Sequence, residues 1–214
     1  MISPVSAGQG VLRQDSVQPE KVSAVLSQRH KDHVVLFSSS DEELAGTVSE
    51  YLLDPLRHGG TGISIATPVH RQLIDERLAR AGVDPAAAVA SGGYVELDAE
   101  QTLARFMVNG WPDPAAFYAT MSPVLKRAAR RRRRPVRAFG EMVSLLWESG
   151  QYTAAIDLET LWAELTRQHR FALLCAYPAA QAGSTEDDEL VLILAEHDRV
   201  IGRTGPAQPD AMPA

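Results

Sequence analysis

Three short runs in this chain carry almost no charge: HVVLF at His33–Phe37, GISIAT at Gly62–Thr67 and FALLCAY at Phe171–Tyr177. A strand with one wet face alternates apolar and polar residues, whereas a strand covered on both faces is apolar throughout. Between these runs lie segments of helical period. Leu44, Val48, Leu52 and Leu56 recur at four-residue spacing after Asp41, and His58-Gly59-Gly60 ends that helix, with Pro55 shortening its last turn. His70–Ala81 reads as a second helix closed by Gly82, Pro114–Arg132 as a long one, and Asp157–His169 as another with Leu158, Leu161, Trp162 and Leu165 on one stripe. Gly93–Leu97 and Val136–Met142 supply two further strands. Asp98–Gly110 begins like a helix and breaks at NGWPDP; a last helix over Asp187–Glu196 and a short strand at Arg199–Gly202 complete the series. Strand and helix alternate, so the fold expected is α/β, doubly wound, with a mostly parallel sheet and helices on both faces.

The boundaries expected are a flexible arm over 1–28, one domain over 29–203 and a Pro-rich disordered tail over 204–214. No apolar stretch is long enough for a membrane span or a secretory leader. A lone Cys175 excludes an intrachain disulfide and suits a reducing compartment, so the expected location is the cytoplasm. A formal charge of −6 disfavours general nucleic-acid binding.

The turn after the first strand is Ser38-Ser39-Ser40-Asp41-Glu42-Glu43. A phosphate-binding loop needs glycines, a lysine and a hydroxyl there, so ATP hydrolysis by that route is excluded. No nucleophile elbow occurs, and Cys175 in an apolar strand reads as an inert buried thiol. The histidines form no HExxH pair, and neither a metal site nor a cofactor is expected. The run Arg130, Arg131, Arg132, Arg133 and Arg134 is either a solvated helix end or a docking patch for an acidic protein or nucleic acid.

In open α/β sheets ligands bind outside the carboxyl ends of the strands. Ser39, Thr67, His70, Asp98, Glu141 and Tyr177 fall at those ends and are the candidate ligand-binding residues. Asp98 also reads as a helix N-cap, Glu141 as a partner for Arg137 or a nearby lysine, and Tyr177 as a rim aromatic.

HVVLFSSSDEEL, GISIATP, DERLARAGVDPAAAVASGGYVELDAEQT, VRAFGEMVSLLWESG, LETLWAELTRQHRFALLCAYP and EHDRVIG together resemble the MEDS domain, the sensory domain described in methanogens and methylotrophs. The resemblance runs from about Arg29 to Arg203. It implies a degenerate RecA/KaiC-like fold without the phosphate-binding loop, and matches the family at His33, Asp98, Glu141 and Tyr177. Members are thought to sense small molecules, hydrocarbon derivatives among them. They occur in a dichloromethane-responsive repressor and beside histidine-kinase-type or anti-sigma ATPase domains. The chain carries no helix-turn-helix, kinase or ATPase module, so its output is expected to pass through another protein. The function expected is therefore a non-enzymatic small-molecule sensor acting on transcription or signalling through a partner such as an anti-sigma or kinase-type regulator. Homo-oligomerisation stays open. The alternative is a degenerate nucleotide-binding protein without ATPase activity. His33, at the start of its strand, is expected to point away from the carboxyl edge.

Overall fold

A computed structural model describes residues 32–130, 134–180 and 188–202. Six strands form one sheet in the order β3-β2-β6-β7-β1-β8, every neighbouring pair parallel. They are β1 (His33–Ser38), β2 (Thr61–Ala66), β3 (Tyr94–Asp98), β6 (Val136–Gly140), β7 (Ala172–Pro178) and β8 (Arg199–Gly202). The arrangement is α/β and doubly wound, as the apolar runs require. β1, β2, β6 and β7 sit inside the sheet and are buried along nearly their whole length.

Successive residues of each strand feed two separate cores. Val34 and Leu36 face α1 (Asp41–Arg57) and α2 (Pro68–Arg80), together with Leu44, Val48, Leu52, Ile74 and Leu78. α3 (Pro85–Ala90) flanks this side through Ala88. Val35, Phe37, Cys175 and Tyr177 face the other core, which α5 (Pro114–Ala128), α6 (Met142–Glu148), α7 (Tyr152–Gln168) and α8 (Asp188–Ala195) cover. Ala99 of α4 (Ala99–Ala104) joins this second core. Its centre is aromatic: Phe117 meets Trp162 edge-on at 5.1 Å and Phe106 at 5.3 Å. Such pairs stabilise by about 0.5–1.5 kcal/mol beyond their burial.

The chain moves outward from β1 to β2 to β3, then returns through β6 and β7 to β8. Helices following β1 and β2 therefore pack on one face, and those following β6 and β7 on the other. Two neighbouring strand pairs, β2/β6 and β7/β1, send their chains to opposite faces. Each is a topological switch point, where a crevice opens at the carboxyl edge.

Several expected boundaries move. NGWPDP is a β-hairpin, β4 (Met107–Val108) against β5 (Trp111–Pro112), turned by Asn109 at φ 53° and Gly110 at φ 84°. Asn-Gly tolerates this left-handed pair, which suits a two-residue hairpin turn. The VRAFGEM strand stops at Gly140, because Glu141 and Met142 already enter α6. That helix was hidden in MVSLLWE, whose apolar run has no readable period. α7 starts at Tyr152, five residues before the expected Asp157. α5 ends at Ala128 instead of Arg132, so Arg130 follows the helix. Among the described residues no helix is long and apolar enough to cross a membrane. The expected arm over 1–28 and tail over 204–214 lie outside the described residues.

Candidate functional site

Two polar clusters interrupt this apolar frame. The first stands at the β2/β6 switch point. Glu141 follows β6, and its backbone N–H extends the ladder to Ile65 O at 3.1 Å. The side chain is 3% exposed and does not cap α6. A buried carboxylate without partners would be costly. Here Oε1 accepts from the Thr67 backbone N–H, and Oε2 lies 2.5 Å from His70 Nδ1. His70 Nε2 then lies 3.4 Å from Asp41 Oδ1. The hydrogen bond to Glu141 raises the His70 pKa above its ordinary value, against an opposing effect of burial. Glu141, His70 and Asp41 thus form a charged chain running outward, with the last two 23% and 69% exposed at the side chain.

Thr67 and His70 reach this cluster because the strand-to-helix turn after β2 is capped: Thr67 Oγ1 accepts from the His70 N–H at 3.5 Å, and Pro68 occupies the first helical turn, where its missing N–H is harmless. Ser39 stands at the neighbouring β1 end, exposed, its N–H donating to Glu43 Oε2 at 2.8 Å. The structure therefore brings Thr67, His70 and Glu141 together. Asp98 serves as the N-cap of α4, accepting from the Gln101 N–H at 2.8 Å. The anticipated Glu141–Arg137 pair does not form. Arg137 turns to α1, where it meets Asp54 Oδ2 at 2.8 Å, donates to Tyr51 O at 3.0 Å and stacks over the Tyr51 ring.

Tyr177 departs from the expected rim position. Its hydroxyl donates to Glu159 Oε1 at 2.7 Å, deep in the second core. There it joins the other cluster. Glu159 comes from α7 and is fully buried. Its Oε2 lies 3.2 Å from His33 Nε2, 3.5 Å from His197 Nε2 and 3.3 Å from Cys175 Sγ. His33 Nε2 and Cys175 Sγ are 3.4 Å apart. Parallel pairing produces this meeting: Val35 is opposite Cys175, so His33, two residues earlier on β1, shares the face of Cys175. As expected, His33 starts its strand far from the carboxyl edge. His197 arrives from the turn between α8 and β8, which β1 holds by two bonds. The His33 N–H donates to Asp198 Oδ2 at 2.8 Å, and the Asp198 N–H donates to His33 O at 2.7 Å.

Burial alone would push the Glu159 carboxyl up, but His197 and His33 together hold it well below the usual carboxylate range. His197 is raised: burial opposes its charge, and the Glu159 carboxylate more than offsets that. Burial and the same carboxylate push the Cys175 thiol and the Tyr177 phenol far up. Sequence reading missed Glu159 and His197. Glu159 had a signal, since it lies on the buried stripe between Ala155 and Trp162, where an acid is out of place.

Arg131, Arg132 and Arg133 lie outside the described residues. Arg134 donates to His58 O at 2.8 Å, and Arg130 is exposed.

The family model described as MEDS, the methanogen/methylotroph DcmR sensory domain, matches residues 32–197. That span includes both clusters. No curated protein matches the chain.

Proposed function

The chain belongs to the MEDS family of sensory domains, and from that premise we propose that it is a non-enzymatic sensor of a small polar organic molecule, read out by a protein partner. The observation that carries this reading is the Glu141–His70–Asp41 chain at the β2/β6 switch point. Crevices at such points are where open α/β sheets take ligands. A ligand hydroxyl, amine or polarised halocarbon group would exchange with the hydrogen bonds that Glu141 makes to Thr67 and His70. Both of these belong to the start of α2, so the exchange would bias the position of that helix. A ligand shifts two states only by its differential affinity for them, and contacts made through a moving helix supply that difference.

The nucleotide-binding alternative is weaker. α1 opens with Asp41, Glu42 and Glu43, which place negative charge where phosphates would need amides and a cation. Nothing in the Glu141 cluster supplies a nucleophile with its activating base, which favours binding over catalysis. The partner would be an anti-sigma or kinase-type regulator in the cytoplasm, with the basic sequence Arg130–Arg134 complementing its acidic face.

The test is equilibrium binding of a panel of short alcohols, amines and chlorinated hydrocarbons to the full chain, followed by amide chemical shifts. Expected shifts concentrate at Thr67–Arg71 and Gly140–Met142. Glu141→Gln should weaken the best ligand about 10-fold or more, the scale of a lost charge-assisted hydrogen bond. Binding that Glu141→Gln and His70→Asn both leave unchanged would overturn the assignment.

A further inference from the structure

We propose that His33, Glu159, Cys175 and His197 bind one divalent transition-metal ion, preferentially zinc, in the core between the sheet and α7. This site is built from other residues than the carboxyl-edge crevice and does not rest on the sensory reading. The four residues stand far apart in sequence, which is why no spacing motif announces them. In space one ligand atom from each lies within 4.8 Å of the others.

Four of the six separations among these ligand atoms fit a tetrahedral ion. Zinc bonds of about 2.0–2.3 Å at tetrahedral angles put neighbouring ligand atoms roughly 3.3–3.7 Å apart. The separations that meet at Glu159 Oε2 are 3.2 Å to His33, 3.3 Å to Cys175 and 3.5 Å to His197, and His33 to Cys175 is 3.4 Å. The donor set of two imidazoles, a thiolate and a carboxylate is of mixed softness. It suits zinc and disfavours magnesium or calcium, which take oxygen ligands.

The surroundings orient the ligands as metal sites do. His33 Nδ1 faces Glu196 O at 3.0 Å and His197 Nδ1 faces Ile193 O at 2.6 Å. A carbonyl only accepts, so each Nδ1 is the donor, which leaves each Nε2, as a lone pair or as an N–H, directed at Glu159. Lone pairs from two rings and a carboxylate repel unless a proton or a cation lies among them. The His197 Nε2 is the sharpest sign: its side chain is fully buried, it points into the cluster, and it makes no hydrogen bond. Tyr177, donating to the second carboxylate oxygen, fixes the rotation of Glu159. Such outer partners hold ligand orientation in metal centres. A plain buried ion-pair network would explain the two histidines beside Glu159. It needs no thiol 3.3 Å from Glu159 and 3.4 Å from His33, and it leaves His197 Nε2, 3.5 Å from the carboxylate, without a hydrogen bond.

Binding releases protons to solvent: the Cys175 thiol gives one as it becomes a zinc-bound thiolate, and any ring protonated at Nε2 gives that proton up as the ion takes its place. The ion would clip β1, α7, β7 and the turn before β8 to one point.

The full chain, stripped with a strong chelator under reducing conditions, is titrated with cobalt(II) and then zinc(II). Expected are saturation at one ion per chain, intense visible bands of four-coordinate cobalt, and a near-ultraviolet thiolate-to-cobalt band. Zinc should displace the cobalt. Cys175→Ser should remove the thiolate band, and Tyr177→Phe should weaken zinc binding about 10- to 100-fold, as outer-partner losses do. A folded protein that leaves cobalt in its pale six-coordinate aqueous state overturns the proposal. So does a thiolate band that persists in Cys175→Ser. Should Cys175→Ser not fold, the unaltered chain still decides, because Cys175 is its single cysteine and no other residue can produce that band.

Discussion

Asp75, on α2 against the edge strand β3, shows how one residue makes stability depend on pH. Burial, then repulsion from Glu96 and a hydrogen bond shared with it, push its carboxyl up to about 7, while Tyr94 and Arg71 pull the other way. An acid whose folded pKa is raised is ionised earlier in the unfolded chain than in the folded one. Its contribution is fully present below 3.8 and is lost as pH rises to about 7. His70 acts next along the scale. Its raised pKa means that its contribution is full below 6.5 and is lost as pH climbs through the folded value. Urea midpoints are therefore expected to fall from mildly acidic to mildly alkaline pH in two overlapping limbs. Asp75→Asn should flatten the acidic limb and leave the upper one, and His70→Asn should do the reverse. A profile that neither substitution changes would show that both groups are screened by solvent. Glu141 teaches the complementary lesson about reading residues from sequence. Its place after an apolar strand marked it correctly as a buried acid, but the partner had to be seen: the sequence offered Arg137 or a lysine nearby, and the partner is His70, 71 residues away in the chain.

At the scale of elements, the sheet was legible because strands covered on both faces announce themselves by continuous apolar runs. HVVLF, GISIAT and FALLCAY became β1, β2 and β7 with ends shifted by a residue or so. Helix ends were less legible. α6 is seven residues of nearly uniform apolarity, so neither period could be counted, and its start at Glu141 was absorbed into the strand before it. The buried cluster was illegible for another reason: parallel register sets His33 beside Cys175, and register is not visible in a single strand. The edge strand β8 hangs on a close approach that only glycine permits. Gly202 has φ 92°, and a Cβ there would stand 2.0 Å from Phe37 O. Gly202→Ala is expected to strip β8 from β1 at a cost of about 1–3 kcal/mol, the scale of local backbone strain. Amide exchange should speed up at Arg199–Gly202 while β2 and β6 stay protected. Just beyond the same end of β1, Ser40 accepts from the Glu43 N–H at 3.2 Å. Ser40→Ala should lower stability by about 1 kcal/mol, the usual value of an N-cap, measured by urea unfolding.

Across the whole molecule, the doubly wound sheet has the carboxyl edge at which open α/β sheets take ligands, but the electrostatics of its first turn oppose a phosphate. In phosphate-binding members of the α/β class, the turn after the first strand offers free amides, the positive end of a helix and a lysine. Here α1 begins Asp41-Glu42-Glu43, and its N-terminal groups are already engaged: the Ser39 N–H by Glu43 Oε2 at 2.8 Å and the Glu43 N–H by Ser40 at 3.2 Å. Glu42 is tied to Arg77 of α2, so the nearest cation is also committed. A triphosphate approaching this edge would meet three carboxylates, in a chain whose formal charge is already −6. Like charges at a few ångströms, beside a turn in which the Ser39 and Glu43 amides already have acceptors, disfavour the bound state. Purified protein is therefore expected to show no magnesium-dependent phosphate release from ATP or GTP, and no nucleotide-induced rise in melting temperature at millimolar concentration. Removing the acids alone, in Glu42→Gln/Glu43→Gln, should free one amide without creating a phosphate site, because no glycine loop and no lysine stand there. Hydrolysis that tracks the protein through purification and disappears in Glu141→Gln would refute this, since it would mean that the buried carboxylate at the switch point activates water for a nucleotide bound by some other surface.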